Sequence, residues 1–279
     1  MIGTWKIRFN EIEKLVKLCE EIDQRAELSS ITSTRVYYSM CFFKKGIRHI
    51  RSITHLLNGV ENNYQNIDVA GMCAIGRCVI EVFSGYSYLT KRGITSEELE
   101  MRFLIYELNS SVDFEKIYTG LGLPVSEYEN GLLPQLQGMT EAELEKNIAF
   151  KRFGEKEKKH LLRGKTPYIV PKSNDKRPLP KEQESAVYNL FSHCVHSYAL
   201  GVGVQATGKQ NITNSTNLIF LAVEIALLYQ SQLLLDYWRL RSRAIKKMTL
   251  HEKAFLLSCS SLENYEMWLT EMNKLGNRP

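Results

Sequence analysis

The stretch VYYSMCFFKKGIRHIRSITHLL, residues Val36 to Leu57, decides the fold. Beside Val36, Tyr37, Met40, Phe43, Ile47 and Ile50 recur at steps of three and four, with Leu57 two turns further on, the period of one face of an α-helix, with basic residues between them. The pattern predicts a helix from about Thr32 to Asn58 that packs along one seam. Ile12, Leu15, Val16, Cys19 and Ile22 repeat the spacing between Asn10 and Leu28 and predict a second such helix. Further starts are marked where a Thr is followed three residues on by Glu, the reciprocal cap for orphan N–H groups: Thr95 with Glu98, Thr140 with Glu143, and Thr249 with Glu252. Strand signals are scarce, the best being Tyr168-Ile169-Val170 between two prolines. The fold class is therefore all-α, a multi-helix bundle of about seven to nine helices.

The expected organisation is one helical domain over residues 1–279. Helices of 1–163 come first, then a basic Pro-rich loop at 164–182, then helices of 183–279. With 44% hydrophobic and 24% charged residues, the composition excludes general disorder. The six cysteines form no CxxC pair and sit mostly in apolar stretches, as small hydrophobes in a reducing cytosol do. Met1 to Lys14 carries no apolar leader, so a cytoplasmic location is expected.

Charge is unevenly spread. Between Glu145 and Glu182 stand twelve Lys or Arg against five Asp or Glu, a local +7 in a chain of net +5, so the rest sums to −2. Such a segment attracts an anionic partner, RNA above all, or forms a solvated basic face.

Two apolar stretches carry polar interruptions. From Val69 to Thr90 the only charges are Arg77 and Glu81, four apart, and such a pair within a core needs a partner on a facing helix. Asn217 to Leu235 is the most apolar run, flanked by Trp238, Arg239, Arg241 and Arg243 like a membrane helix end. Glu224, Gln230 and Gln232 within it favour a buried helix of a soluble bundle, so no membrane is expected.

Tyr188, Ser192 and His196 recur every four residues and share one helix face, where the Ser192 hydroxyl can reach the His196 imidazole. Histidine exchanges protons near neutral pH, whereas a mid-helix serine without an oxyanion hole does not make a hydrolase triad. Arg77 held by Glu81 is a preorganised guanidinium suited to phosphate or carboxylate. Opposite His196 it would stabilise developing negative charge. The alternative is a polar network that clamps core helices. A second basic set, Lys44, Arg48, Arg51 and His55, lies beside the Val36 seam. Gly203-x4-Gly208-Lys209 has most of a phosphate-binding loop, but Gln210 replaces the magnesium-binding hydroxyl and no strand precedes it. Gly201 and Gly203 are read instead as the end of the His196 helix. His193 and His196 without nearby acids or thiols make no convincing metal site, and no cofactor is expected.

Arg48-His49-x5-His55 resembles the Arg-polar-x4-6-His signature of HEPN-type metal-independent ribonucleases, all-helical proteins that usually act as dimers with the signature at a shared cleft. It makes Arg48 and His55 the alternative site, although its place on an early helix departs from the family's usual one. More broadly, the chain resembles a bacterial family of helical proteins. The likeness rests on the Val36 helix, Arg77-Cys-Val-Ile-Glu81, Glu98-Leu-Glu100-Met-Arg102 and Tyr188-Asn-Leu-Phe-Ser192-His-Cys-Val-His196. It implies that Arg77, Glu81, Ser192 and His196 gather in one place. Some members resemble HEPN-like proteins of toxin or anti-phage systems. The expected function is thus a metal-independent ribonuclease or defence effector, a homodimer that meets RNA through residues 145–182. The alternative is a helical module that binds a protein or small anion without catalysis.

Overall fold

The computed structural model describes residues 2–27, 29–58, 67–123, 132–169, 177–196, 215–243, 245 and 247–276. They form α1 (Ile2–Glu27), α2 (Thr34–Asn58), α3 (Val69–Thr90), α4 (Ser96–Gly120), α5 (Leu132–Lys146), the single turn α6 (Ile148–Lys151), α7 (Glu155–Leu162), α8 (Lys181–Val195), α9 (Ser215–Leu240), α10 (Leu250–Cys259) and α11 (Glu263–Gly276). The protein is all-α, and no strand occurs among the described residues. Tyr168 and Ile169 are irregular, and Val170 lies outside the described residues. Eleven helical segments occur among the described residues, because Asn147 and Gly154 act as N-caps and divide 132–162 into three.

The chain packs as two compact units, one from residues 1–86 with 176–279 and the other from 87–175. In the first unit α9 is the central element, packed on α1, α2, α10 and α11. Nearly every side chain from Leu218 to Leu235 is buried. Both α3 and α9 are long and apolar enough to cross a membrane, and 94% of the most apolar window of α9 is buried within the protein, the state of a core helix. Two of its polar residues, Glu224 and Gln230, meet side chains of α1. Arg8, itself buried, gives the Glu224 carboxylate two parallel hydrogen bonds, Nε–Oε1 at 2.5 Å and Nη2–Oε2 at 2.6 Å, and also bonds Glu11. A Cβ at Gly46 would meet the terminal amide of Gln230, so a larger residue here would displace that side chain. Phe43 stacks on Tyr237 at 4.2 Å. Arg241 is buried rather than exposed on a membrane-like flank, and its Nη2 donates to the Ala26 carbonyl at 3.0 Å near the end of α1.

The expected seams are largely those observed: Ile12, Leu15, Val16, Cys19 and Ile22 of α1 are buried, as are Val36, Phe43, Ile47 and Ile50 of α2. Tyr37 instead faces outward, and Tyr38, Phe42 and Ile53 take part in the seam. α1 begins well before Asn10. Of the three cap signals, Thr95 and Thr249 do cap α4 and α10, accepting from the Glu98 and Glu252 amides at 3.2 and 3.1 Å. Thr140 lies inside α5 rather than at its start, because Pro134 falls in the first turn, where a missing N–H has no helical acceptor to lose.

In the second unit α4 packs on α5, α6 and α7 around Met101, Ile105, Leu108, Leu144, Phe150 and Leu161. Asn147 joins the pieces: its Oδ1 caps the Ala149 and Phe150 amides, while its Nδ2 donates to the Glu97 carbonyl at 3.0 Å and to Glu100 at 3.1 Å.

Candidate functional site

Gly76 of α3 and Phe191 of α8 set how closely these two helices approach. A Cβ at Gly76 would lie 2.7 Å from Cε2 of the fully buried Phe191 ring, so a larger residue would hold the helices apart. The neighbours on either side then meet as antiparallel rungs. Cys73 faces Cys194, two buried free thiols whose hydrogen bond, with burial, raises the Cys73 pKa far above the usual range. Arg77 faces Ser192, with Nη1 donating to Oγ at 3.3 Å. Glu81 faces Tyr188, whose hydroxyl donates to Oε1 at 2.7 Å.

The rungs are cross-linked. Arg77 Nε donates to Glu81 Oε1 at 3.0 Å and to the Tyr188 hydroxyl at 2.9 Å, and the guanidinium carbon lies 4.8 Å from the centre of the Tyr188 ring. One carboxylate oxygen thus receives both the guanidinium and the phenol. The pair is half-exposed, with side-chain exposures of 30% for Arg77 and 47% for Glu81. Partial burial acts to lower the Arg77 pKa, but the hydrogen bond and charge of Glu81 outweigh it and the net shift is upward. Burial and the Glu81 carboxylate raise the Tyr188 pKa, so the phenol stays protonated and able to donate at neutral pH.

The structure brings Arg77, Glu81 and Ser192 together around the Arg77 guanidinium and adds Tyr188, which bonds Arg77 and Glu81. His196 stands one turn beyond Ser192, as the residue that closes α8. Its φ of −86° remains near helical, its ψ of 146° turns the chain away, and its amide donates to the Ser192 carbonyl at 3.1 Å. The imidazole is exposed. The Ser192 hydroxyl is engaged with Arg77. α8 therefore ends earlier than the expected stop at Gly201 and Gly203, and the Gly203-x4-Gly208-Lys209 segment lies outside the described residues.

On α2, Arg48 and His55 are both exposed, seven residues apart on one side. The stripe around them is partly matched by acids of α1: Lys44 meets Asp23 at 3.3 Å and Glu27, and Arg51 Nε donates to Glu20 at 2.9 Å. His49, the polar position of the Arg48-His49-x5-His55 spacing, is half-buried on α2 and feels the Glu81 charge. Burial lowers its pKa, Lys45 adds to this, and the Glu81 charge opposes both. In the basic segment, Lys151, Arg152, Lys156, Lys159, Arg163 and Lys165 are exposed, while residues 170–176 of the Pro-rich loop lie outside the described residues. No protein-family model, curated protein or solved structure matches the chain.

Proposed function

We propose that the α3–α8 cluster recognises a phosphodiester and that the protein is a metal-independent ribonuclease of the HEPN-like kind, cytoplasmic and dimeric. The carrying observation is the Arg77 guanidinium, half-exposed and held in one orientation by Glu81, Tyr188 and Ser192. A guanidinium fixed before the ligand arrives loses little freedom on meeting a phosphate, and its fork matches two phosphate oxygens. In the proposed reaction a ribose hydroxyl attacks the adjacent phosphorus and the next ribose oxygen leaves. His196 accepts the attacking hydroxyl's proton and returns one to the leaving oxygen, while Arg77 stabilises the added charge on the phosphoryl group. Basic residues of 145–182 would attract the strand.

The test is incubation of purified protein with mixed tRNA and mRNA, with and without EDTA, followed by mapping of the ends. Cleavage that survives EDTA and leaves cyclic phosphate ends, lost in Arg77→Ala and His196→Ala with folding intact, is the expected result. Intact RNA in every condition would defeat this reading.

One observation favours a second reading, a clamp in a non-catalytic binding module. Tyr188 and Ser192 both direct their hydroxyls at Arg77, and Glu81 takes bonds from both helices, so the group closes on itself. On that reading Arg77→Ala lowers thermal stability and no RNA is cut by the parent.

A further inference from the structure

The second unit contains a cleft of about 740 Å³ lined by Lys91 and by residues of α4, of 149–161 and of the segment 164–169. That volume lies within the ~300–1,000 Å³ usual for small-molecule sites. Its segment 164–169 is fastened at both ends. Gly164 has φ +59°, and a Cβ there would meet Val112 at 2.6 Å and the Leu108 carbonyl at 3.2 Å, so only glycine fits. Asn109 donates to the Gly164 carbonyl at 2.7 Å, and the Ile169 amide donates to the Tyr88 hydroxyl at 3.1 Å. Tyr168 is braced edge-on by Tyr88 at 5.0 Å and stacked with Tyr106 at 6.3 Å. The aromatic wall is thus formed before any ligand arrives.

The lining has two characters. The inner wall is apolar, from Met101, Ala149 and Leu161, with Phe153 and Tyr168 half-buried beside them. Arg152, Lys156 and His160 are exposed at the mouth, and Lys91 is half-buried. The two acids are already engaged. Glu98 accepts from Arg102 Nη2 at 2.7 Å, and Glu157 accepts from the Gly154 amide at 3.0 Å as the cap of α7. Arg102 itself is buried, with Nη1 on the Tyr88 carbonyl at 2.9 Å and Nε buried without a hydrogen-bond partner. A buried guanidinium N–H left unmatched is costly and is a ready donor for an acceptor placed beside it.

We propose that this cleft binds a nucleoside phosphate, with the base against Tyr168 and Phe153 and the phosphates at Arg152 and Lys156. A flat ring suits braced aromatic walls, and an anionic head suits a mouth whose cations outnumber its acids. Nothing in this assignment depends on the α3–α8 cluster.

The experiment is calorimetric titration of the full chain with the four ribonucleoside diphosphates, inorganic phosphate and adenosine as separate probes. At least one diphosphate should bind about tenfold or more tightly than phosphate or adenosine, since only it engages both walls and mouth. The double variant Arg152→Glu, Lys156→Glu, with both sites exposed and its melting curve as the check on folding, should weaken that binding by about tenfold or more. Arg77→Ala should leave it unchanged. Binding no tighter than phosphate alone, or equal binding by the double variant, would overturn the assignment. So would binding of a single-stranded RNA oligomer with none of the mononucleotides.

Discussion

Gly76 lies so close to Phe191 that a single added methyl carbon would stand 2.7 Å from the ring. The Phe191 side chain is fully buried, so room for that methyl requires a core ring to repack. Gly76→Ala gains about 1 kcal/mol of helix propensity, but overpacking costs ~1–3 kcal/mol, so the net is a loss of up to about 2 kcal/mol. Gly138, exposed within α5 with nothing within 4 Å of its would-be Cβ, is the matched control. Gly138→Ala should stabilise by roughly 0.5–1 kcal/mol. Urea denaturation of the two variants should show shifts of opposite sign.

Tyr188→Phe keeps the ring beside Arg77 and removes the hydroxyl that joins Arg77 to Glu81. The expected stability loss is about 1 kcal/mol, because the half-exposed partners recover water. If the cluster is catalytic, RNA cleavage should fall far more than that loss explains. Denaturation midpoints measured beside cleavage rates separate the two effects.

His49 resists protonation in the folded chain, so its pKa lies below the ordinary 6.5. As pH falls through 6.5 the unfolded chain takes up a proton that the folded one does not, and stability is lost toward the lower folded pKa. Melting temperatures at about pH 7.5 and pH 5.5 should therefore fall with acidification, and His49→Gln should flatten the slope. An equally steep slope in the variant would assign the effect to other groups.

Glu224→Gln leaves the buried Arg8 guanidinium with Glu11 as its remaining carboxylate. Breaking a buried pair from one side typically costs ~3–5 kcal/mol, and Glu11 should hold the loss near the lower figure. Arg8→Met with Glu224→Leu removes both charges and should recover most of it. Chemical denaturation of the three proteins checks the order.

The helices were legible because seams at steps of three and four need no knowledge of the partner helix. The Arg77–Glu81 pair was legible for a related reason, since two charges stand out in an otherwise apolar run. What they meet was only half legible. The four-residue spacing put Tyr188, Ser192 and His196 on one face, but Tyr188 rather than His196 proved to be the junction, since α8 stops at Val195 without a glycine to mark it. Arg8 and Arg241 were missed as core residues because each lies in a polar stretch, with its partner 216 and 215 residues away. The cleft of residues 87–175 is assembled from short, separate segments, and no period in the chain announces it.

The interrupted course of the first unit has a consequence for biogenesis. Residues 87–175 emerge from the ribosome as one continuous piece that contains its whole apolar centre, whereas α1 and α2 must wait for α9, translated over a hundred residues later. The part made in the middle is the part able to finish first. Pulse-labelled hydrogen exchange during refolding should accordingly protect amides around Ile105 and Leu108 before those around Ile225.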